Sequence, residues 1–183
     1  MKAVVIFDTL YGNTESVSRA LAKGLNESLV ETTCANIKDV SIEDLAQADL
    51  IAIGGPTHHH GASKPMKRFL AHLKGADLKG KHGFAFDTRV DSFWSGSAAK
   101  AIEKALKRSG AQVVRPPASA FVKSTWVKPT KLDRESESKE DRRTRRAMEV
   151  EERRASVVLE DGSQESFEKI GAEIGKAVIS GNR

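Results

Sequence analysis

Apolar residues recur with two different periods along this 183-residue chain. Ala3-Val4-Val5-Ile6-Phe7, Leu50-Ile51-Ala52-Ile53 and Gly83-Phe84-Ala85-Phe86 are short unbroken runs. They predict strands covered on both faces, as in a parallel sheet. Between them apolar positions fall three and four apart: Val17, Leu21 and Leu25; Met66, Phe69, Leu70 and Leu73; Ala98, Ile102, Ala105 and Leu106; Phe167, Ile170, Ile174 and Val178. Each set predicts a helix with one buried stripe. The first helix covers about Asn13 to Ser28, and Gly110 stands where a glycine stops the third. Ser41-Ile42-Glu43-Asp44 opens a short helix with acids in its first turn. Val30 to Ile37 reads as a weaker strand. Gln112-Val113-Val114 and Ala118 to Val122 read as strand pieces interrupted by Pro116-Pro117, which cannot both sit in a central ladder.

Strand and helix alternate five times, the order of a doubly wound α/β sheet with helices on both faces. Ligands of such sheets lie outside the carboxyl ends of the strands, where the strand order reverses. Residues 9–14, 54–61 and 87–96, the stretches richest in Gly, Thr, Asn, His and Trp, all fall at strand ends. They should meet in space. The triplet Phe7-Asp8-Thr9 recurs as Phe86-Asp87-Thr88 at a second strand end.

Thr9-Leu10-Tyr11-Gly12-Asn13-Thr14-Glu15 turns a buried strand into a helix. The first amides of that helix have no partner of their own and carry the positive end of its dipole. A phosphate placed there gains several charge-assisted hydrogen bonds. Thr9, Asn13 and Thr14 add side-chain donors, and Gly12 lets the backbone wrap closely. No Lys or Arg occurs between Lys2 and Arg19, so hydrogen bonds rather than opposite charge would hold the anion. Helix capping by Asn13 or Thr14 is the plainer reading of the same residues.

Composition narrows the classes. The length suits one domain, 1–183, with a charged excursion at about 123–156 before the last helix. Cys34, the single cysteine, excludes an internal disulfide and reads as a small core residue. No apolar run reaches the roughly 18 residues of a membrane span, and no signal-peptide layout precedes the first strand. A cytoplasmic protein without a membrane partner is expected. The formal net charge is +5, which favours acidic partners. The excursion mixes 11 Lys and Arg with 8 Asp and Glu, which speaks for a solvated surface rather than a nucleic-acid interface. Its pairs Glu135/Lys139, Asp141/Arg145 and Glu149/Arg153 favour a helix. A solvated helix, a mobile loop and an arm docking on a second subunit, giving a homodimer, all remain open. Trp126 and the cluster Arg142-Arg143-Thr144-Arg145-Arg146 also belong to it.

Three motifs in order resemble a known family. Thr9-Leu10-Tyr11-Gly12-Asn13-Thr14 is similar to the phosphate loop of flavodoxins, Thr/Ser-x-Thr-Gly-Asn-Thr. Gly54-Gly55-Pro56-Thr57-His58 and Phe86-Asp87-Thr88-Arg89 resemble the two loops that clasp the flavin ring. The likeness extends to the flavodoxin domain of A-type flavoproteins and covers about residues 1–122 and 157–181. It implies a three-layer sandwich around a five-stranded parallel sheet of order 2-1-3-4-5, and FMN as cofactor. By the same resemblance Thr9, Leu10, Tyr11, Gly12, Asn13 and Thr14 hold the phosphate. Pro56, Thr57, His58, His59, His60 and Gly61 line one side of the ring. Thr88, Arg89, Trp94 and Gly96 line the other, with Trp94 stacking, and Asp87 or Asp91 reaches the ribityl chain or ring edge. His60-Gly61 is the candidate for a peptide turning toward the ring, and Arg89 for a positive group beside it. Two departures stand out: Tyr11 replaces a small hydroxyl residue, and three histidines replace the tryptophan common in the second loop.

The implied function is electron transfer between redox partner proteins, with no catalytic residue required. The competing reading is an FMN-dependent reductase or oxidase, similar to quinone reductases, with a small substrate on the ring and a histidine of the triplet as proton donor. A third reading keeps the fold without flavin, as a binding module. Metal binding by the triplet is disfavoured, because neighbouring residues of an extended chain point opposite ways.

Overall fold

The computed structural model describes residues 1–58, 60–124 and 139–181. In chain order it contains β1 (Lys2–Phe7), α1 (Asn13–Glu27), β2 (Glu31–Asn36), α2 (Ile42–Gln47), β3 (Leu50–His58), β4 (Gly61–Ala62), α3 (Lys64–Leu73) and β5 (His82–Val90). A short 3₁₀ turn (Phe93–Ser95) follows, then α4 (Ala98–Arg108), β6 (Gln112–Val113), β7 (Ala118–Ser124), α5 (Lys139–Ser156), β8 (Val157–Leu159) and α6 (Ser163–Gly181).

The five long strands stand in the expected order, β2-β1-β3-β5-β7, every neighbour parallel. Three short strands go beyond the expected five. β4 doubles back on β3 and β6 pairs the start of β5, while β8 runs antiparallel along the outer edge of β7. Pro116-Pro117 lie in the gap between β6 and β7, where no ladder amide is needed.

Alternation along the strands divides the core. Val4, Ile6, Ile51 and Ile53 face α2, α3 and α4 through Leu45, Met66, Leu70, Ile102 and Leu106. Ala3, Val5, Leu50, Ala52, Phe84 and Phe86 face α1 and α6 through Val17, Leu21, Leu25, Phe167 and Ile174. Side chains that alternate across a strand serve both layers at once, which is why these runs carry no polar residue. Cys34 is half-buried against the second layer, and burial pushes its thiol up to about 11. At neutral pH it is a thiol, the inert form.

The charged excursion contains a helix, α5, whose Met148 and Val150 stand exposed, and β8 follows directly after it. Trp126 and Glu135 lie outside the described residues, as do the side chains of Lys139, Asp141, Arg153 and the four arginines of the basic cluster.

Helices α1 and α6 touch backbone to backbone. A Cβ on Gly24 would overlap the Glu168 carbonyl, and one on Gly171 would overlap the Leu21 carbonyl. In a free helix, replacing glycine by alanine gains up to about 1 kcal/mol. Here overpacking reverses the sign, at a cost of about 1–3 kcal/mol. Gly171→Ala is therefore expected to lower the midpoint of urea unfolding, while Gly181→Ala at the exposed end of α6, with open space at its Cβ, leaves it unchanged or raises it.

Candidate functional site

The carboxyl ends of β1, β3 and β5 carry the three loops singled out in the sequence, side by side. The first turn of α1 differs from those of α2, α3 and α4. Ser41, Ser63 and Ser97 cap the latter three with hydroxyls that accept from Asp44, Met66 and Lys100. At Ser41 the cap is reciprocal, and the bonds to its amide and hydroxyl hold the Asp44 carboxyl below its ordinary value. The residue before α1 is Gly12, at φ +85°, and no side chain caps the helix. Its Cβ position meets nothing within 4 Å. Thr9 Oγ1 folds the loop by accepting from the Gly12 amide at 2.9 Å. The result is a set of outward amides beneath a left-handed turn, a ready concavity for an anion.

Two expected side-chain donors of this loop serve the fold as well. Thr14 is buried and its hydroxyl lies 2.8 Å from that of Thr88, which ties α1 to β5. The Asn13 amide donates to the Val157 carbonyl at 2.8 Å, which ties the loop to β8. Tyr11 is half-buried, and Leu10 is 54% exposed.

The second loop is a tight hairpin in which Thr57 faces Ala62 and His58 faces Gly61. His59 lies outside the described residues. His60 has φ +67° and forms an isolated bridge with Gly96, while its Nδ1 meets the Trp94 carbonyl. A Cβ on Gly96 would overlap the His60 carbonyl, so glycine is required for this approach. The second and third loops are thereby locked together. Trp94 is 77% exposed beside them, and Asp91 is exposed as well. Pro56 is half-buried at the start of the hairpin.

Arg89 reaches under the third loop. Its Nε donates to Ser119 Oγ at 3.1 Å, and its Nη1 donates to Ser95 Oγ at 3.0 Å and the Gly96 carbonyl at 3.2 Å. Its guanidinium carbon stands 5.1 Å from the centre of the Phe121 ring. Among the described residues no carboxylate pairs with it, so a full positive charge is held at the loop.

Asp8 and Asp87 explain the repeated triplet. Both are buried, and each accepts from the hydroxyl of a serine that caps a helix: Ser63 on α3 for Asp8, Ser97 on α4 for Asp87. Asp87 Oδ2 also accepts from Thr57 Oγ1 at 2.9 Å and from the Ala99 amide at 3.1 Å. Thr57 Oγ1 in turn accepts from the Ala98 amide at 2.8 Å. Asp87 Oδ1 is buried with no partner among the described residues. The resemblance implied a cofactor contact for Asp87 or Asp91; the Asp87 carboxylate also ties β5, the second loop and α4 together.

A cleft of about 630 Å³ opens beside the loops, lined by Thr9, Leu10, Pro56 and His58 together with Lys38, Lys64 and Lys67. Sequence reasoning missed these lysines. Lys38 follows β2 and the other two begin α3, so only the strand order brings them to the loop after β1.

Removing the Asp87 carboxylate strands three donors at once, and each buried unpaired donor costs about 1–3 kcal/mol. Asp87→Ala is expected to lose at least about 3 kcal/mol of stability in urea unfolding. Asp87→Asn, which keeps an acceptor in place, is expected to lose clearly less.

The flavodoxin family model matches residues 5–145. A flavodoxin of Maridesulfovibrio salexigens is 27% identical over 118 residues, 62% of this chain and 81% of that protein. A nitric oxide reductase of Moorella thermoacetica is 29% identical over 121 residues, 63% of this chain and 29% of that protein. The chain thus spans under a third of the length of the first curated relatives it matches. Among solved structures, a flavodoxin from the domain Archaea superposes with a TM-score of 0.70 at 23% identity, over 97% of this chain and 99% of that one. With the family model spanning most of the chain and the strand order in place, the protein is a member of the flavodoxin family, a family that binds FMN.

Proposed function

We propose that the chain binds FMN across the three loops and carries electrons between redox partner proteins. The observation that carries this reading is the uncapped first turn of α1 beneath Gly12, in a chain whose α2, α3 and α4 are each capped by serine. The flavin would supply the redox chemistry, and the chain supplies its seat and its electrostatics. Amides of Leu10, Tyr11, Asn13 and Thr14 with the Thr9 hydroxyl would hold the phosphate, while the Gly12 amide is kept by Thr9 Oγ1. The hairpin at His58, His60 and Gly61 and the loop of Thr88, Arg89, Trp94 and Gly96 would form the two walls of the ring site. The bridge between His60 and Gly96 fixes the spacing of those walls. The Trp94 carbonyl meets His60 Nδ1, and the largely exposed Trp94 side chain would form the part of this wall that lies over a planar ligand.

An acidic redox partner suits the formal net charge of +5. Attraction of that kind raises the rate of encounter more than the final affinity, and salt weakens it.

Titrating FMN into the purified protein and following the quenching of its fluorescence tests the seat. Binding with one FMN per chain is expected, and Thr9→Val is expected to weaken it about ten-fold, the equivalent of one charge-assisted hydrogen bond. A chain that leaves FMN fully fluorescent overturns the reading. The charge of Arg89 is expected to favour the reduced, more negative cofactor. Arg89→Ala should lower the midpoint potential by about 30 mV for the two-electron couple, about 1.4 kcal/mol, in a redox titration. Arg89→Lys should restore most of that shift, whereas an unchanged midpoint in Arg89→Ala removes Arg89 from the account.

A further inference from the structure

The cleft of about 630 Å³ has features that a flavin seat alone does not need. Its floor is apolar, formed by Leu10, Pro56, Ala62 and Pro65. Lys38, Lys64 and Lys67 stand around it, and none of the three makes an ion pair among the described residues. The single carboxylate in its wall, Asp8, is buried and accepts from the Ser63 hydroxyl at the start of α3. Three ammonium groups and the positive end of α3 therefore act together over an apolar surface. The volume falls within the range of about 300–1,000 Å³ that small-molecule sites occupy.

The lining meets the phosphate loop only at its first two residues, Thr9 and Leu10. Gly12, Asn13 and Thr14, at the start of α1, take no part in it, and neither do Thr88, Arg89, Trp94 or Gly96. Helix α1 packs on one face of the sheet and α3 on the other. Only Thr9, Leu10, Pro56 and His58 are shared with the expected flavin contacts. An occupant would lie beside a flavin rather than in its place.

We propose that this cleft binds a small organic anion, its apolar body against Leu10, Pro56, Ala62 and Pro65 and its carboxylate or phosphate toward Lys38, Lys64 and Lys67. Charge and apolar surface are both needed for this recognition. Neither a neutral ring nor a bare inorganic anion would bind well.

Calorimetric titration of the FMN-loaded chain tests this. The probes are 2-naphthoate and 2-naphthyl phosphate, with 2-naphthamide as the neutral twin and inorganic phosphate as the anion without an apolar body. At least one of the two naphthyl anions is expected to bind one per chain, with the amide and inorganic phosphate at least about ten-fold weaker. Which anion binds better decides between a carboxylate and a phosphate head. The exposed lysines can be changed without disturbing the core, and Lys38→Gln/Lys64→Gln/Lys67→Gln together are expected to weaken the anion about ten-fold. FMN affinity should stay within about two-fold in the same variant. Equal binding of the amide, no binding of either naphthyl anion, or release of FMN as the anion binds would each overturn the proposal. Should the chain take up no FMN, the same titrations on the chain as purified decide the question, so failure of the flavin reading remains separate.

Discussion

Helix amides left without intrahelical partners are the constraint on which the architecture of this site turns. Every helix that starts at the carboxyl edge of the sheet presents several donors there, and each must find an acceptor or a ligand. For α3 and α4 the acceptor is a serine hydroxyl, itself fixed by a buried aspartate at a strand end. Asp8 and Asp87 thereby connect strands to helices on one face of the sheet. Their neighbours in the repeated triplet serve the other helix: Thr9 folds the turn before α1, and Thr88 pairs with Thr14 inside it. One three-residue unit, used twice, closes two helix starts and shapes a third that stays open.

Helix α1 is held open at a cost that the rest of the fold offsets. A left-handed Gly12 supplies no side chain to its first turn, and the helix is stabilised instead by packing against α6. Gly24 and Gly171 let the two backbones approach, and Lys23 and Glu168 pair across the contact at 2.8 Å. That pair is exposed and contributes little; the close packing of Val17, Leu21 and Phe167 contributes most. A rigid α1 is what gives its outward amides a fixed geometry.

Much of this could be read along the chain. The runs around Ile6, Ile53 and Phe86 are buried on both faces, so their unbroken apolar character marked them as central strands. The stripe of Val17, Leu21 and Leu25, and the glycine at Gly110 with its φ of +95°, marked helix and stop as local chemistry does. What stayed hidden depends on long-range pairing. β4 and β8 are two and three residues long, too short for any period to show. Thr14 and Thr88 meet across 74 residues, and Lys38 joins Lys64 and Lys67 only through the strand order. The resemblance pointed to Asp87 or Asp91 as a ligand contact, but not to the donors that Asp87 gathers inside the fold: Thr57, Ser97 and the Ala99 amide come from two other elements.

The charged excursion illustrates how a segment that reads as surface can enter a site. Its charge pairs at four-residue spacing favoured a helix, and α5 runs over Lys139–Ser156. The chain then returns as β8, which adds an antiparallel edge to β7 and brings the Val157 carbonyl to Asn13. Asn13 is therefore oriented by a residue 144 positions away, and with Thr14 paired to Thr88 the loop's side chains are largely engaged in holding its own shape. An anion seated there must be gripped chiefly by backbone amides. Such a seat is rigid because its side chains are already satisfied, and rigidity lowers the ordering cost of binding. The strand that follows the excursion thus makes sequence far from the first strand part of the reason that the loop holds its shape.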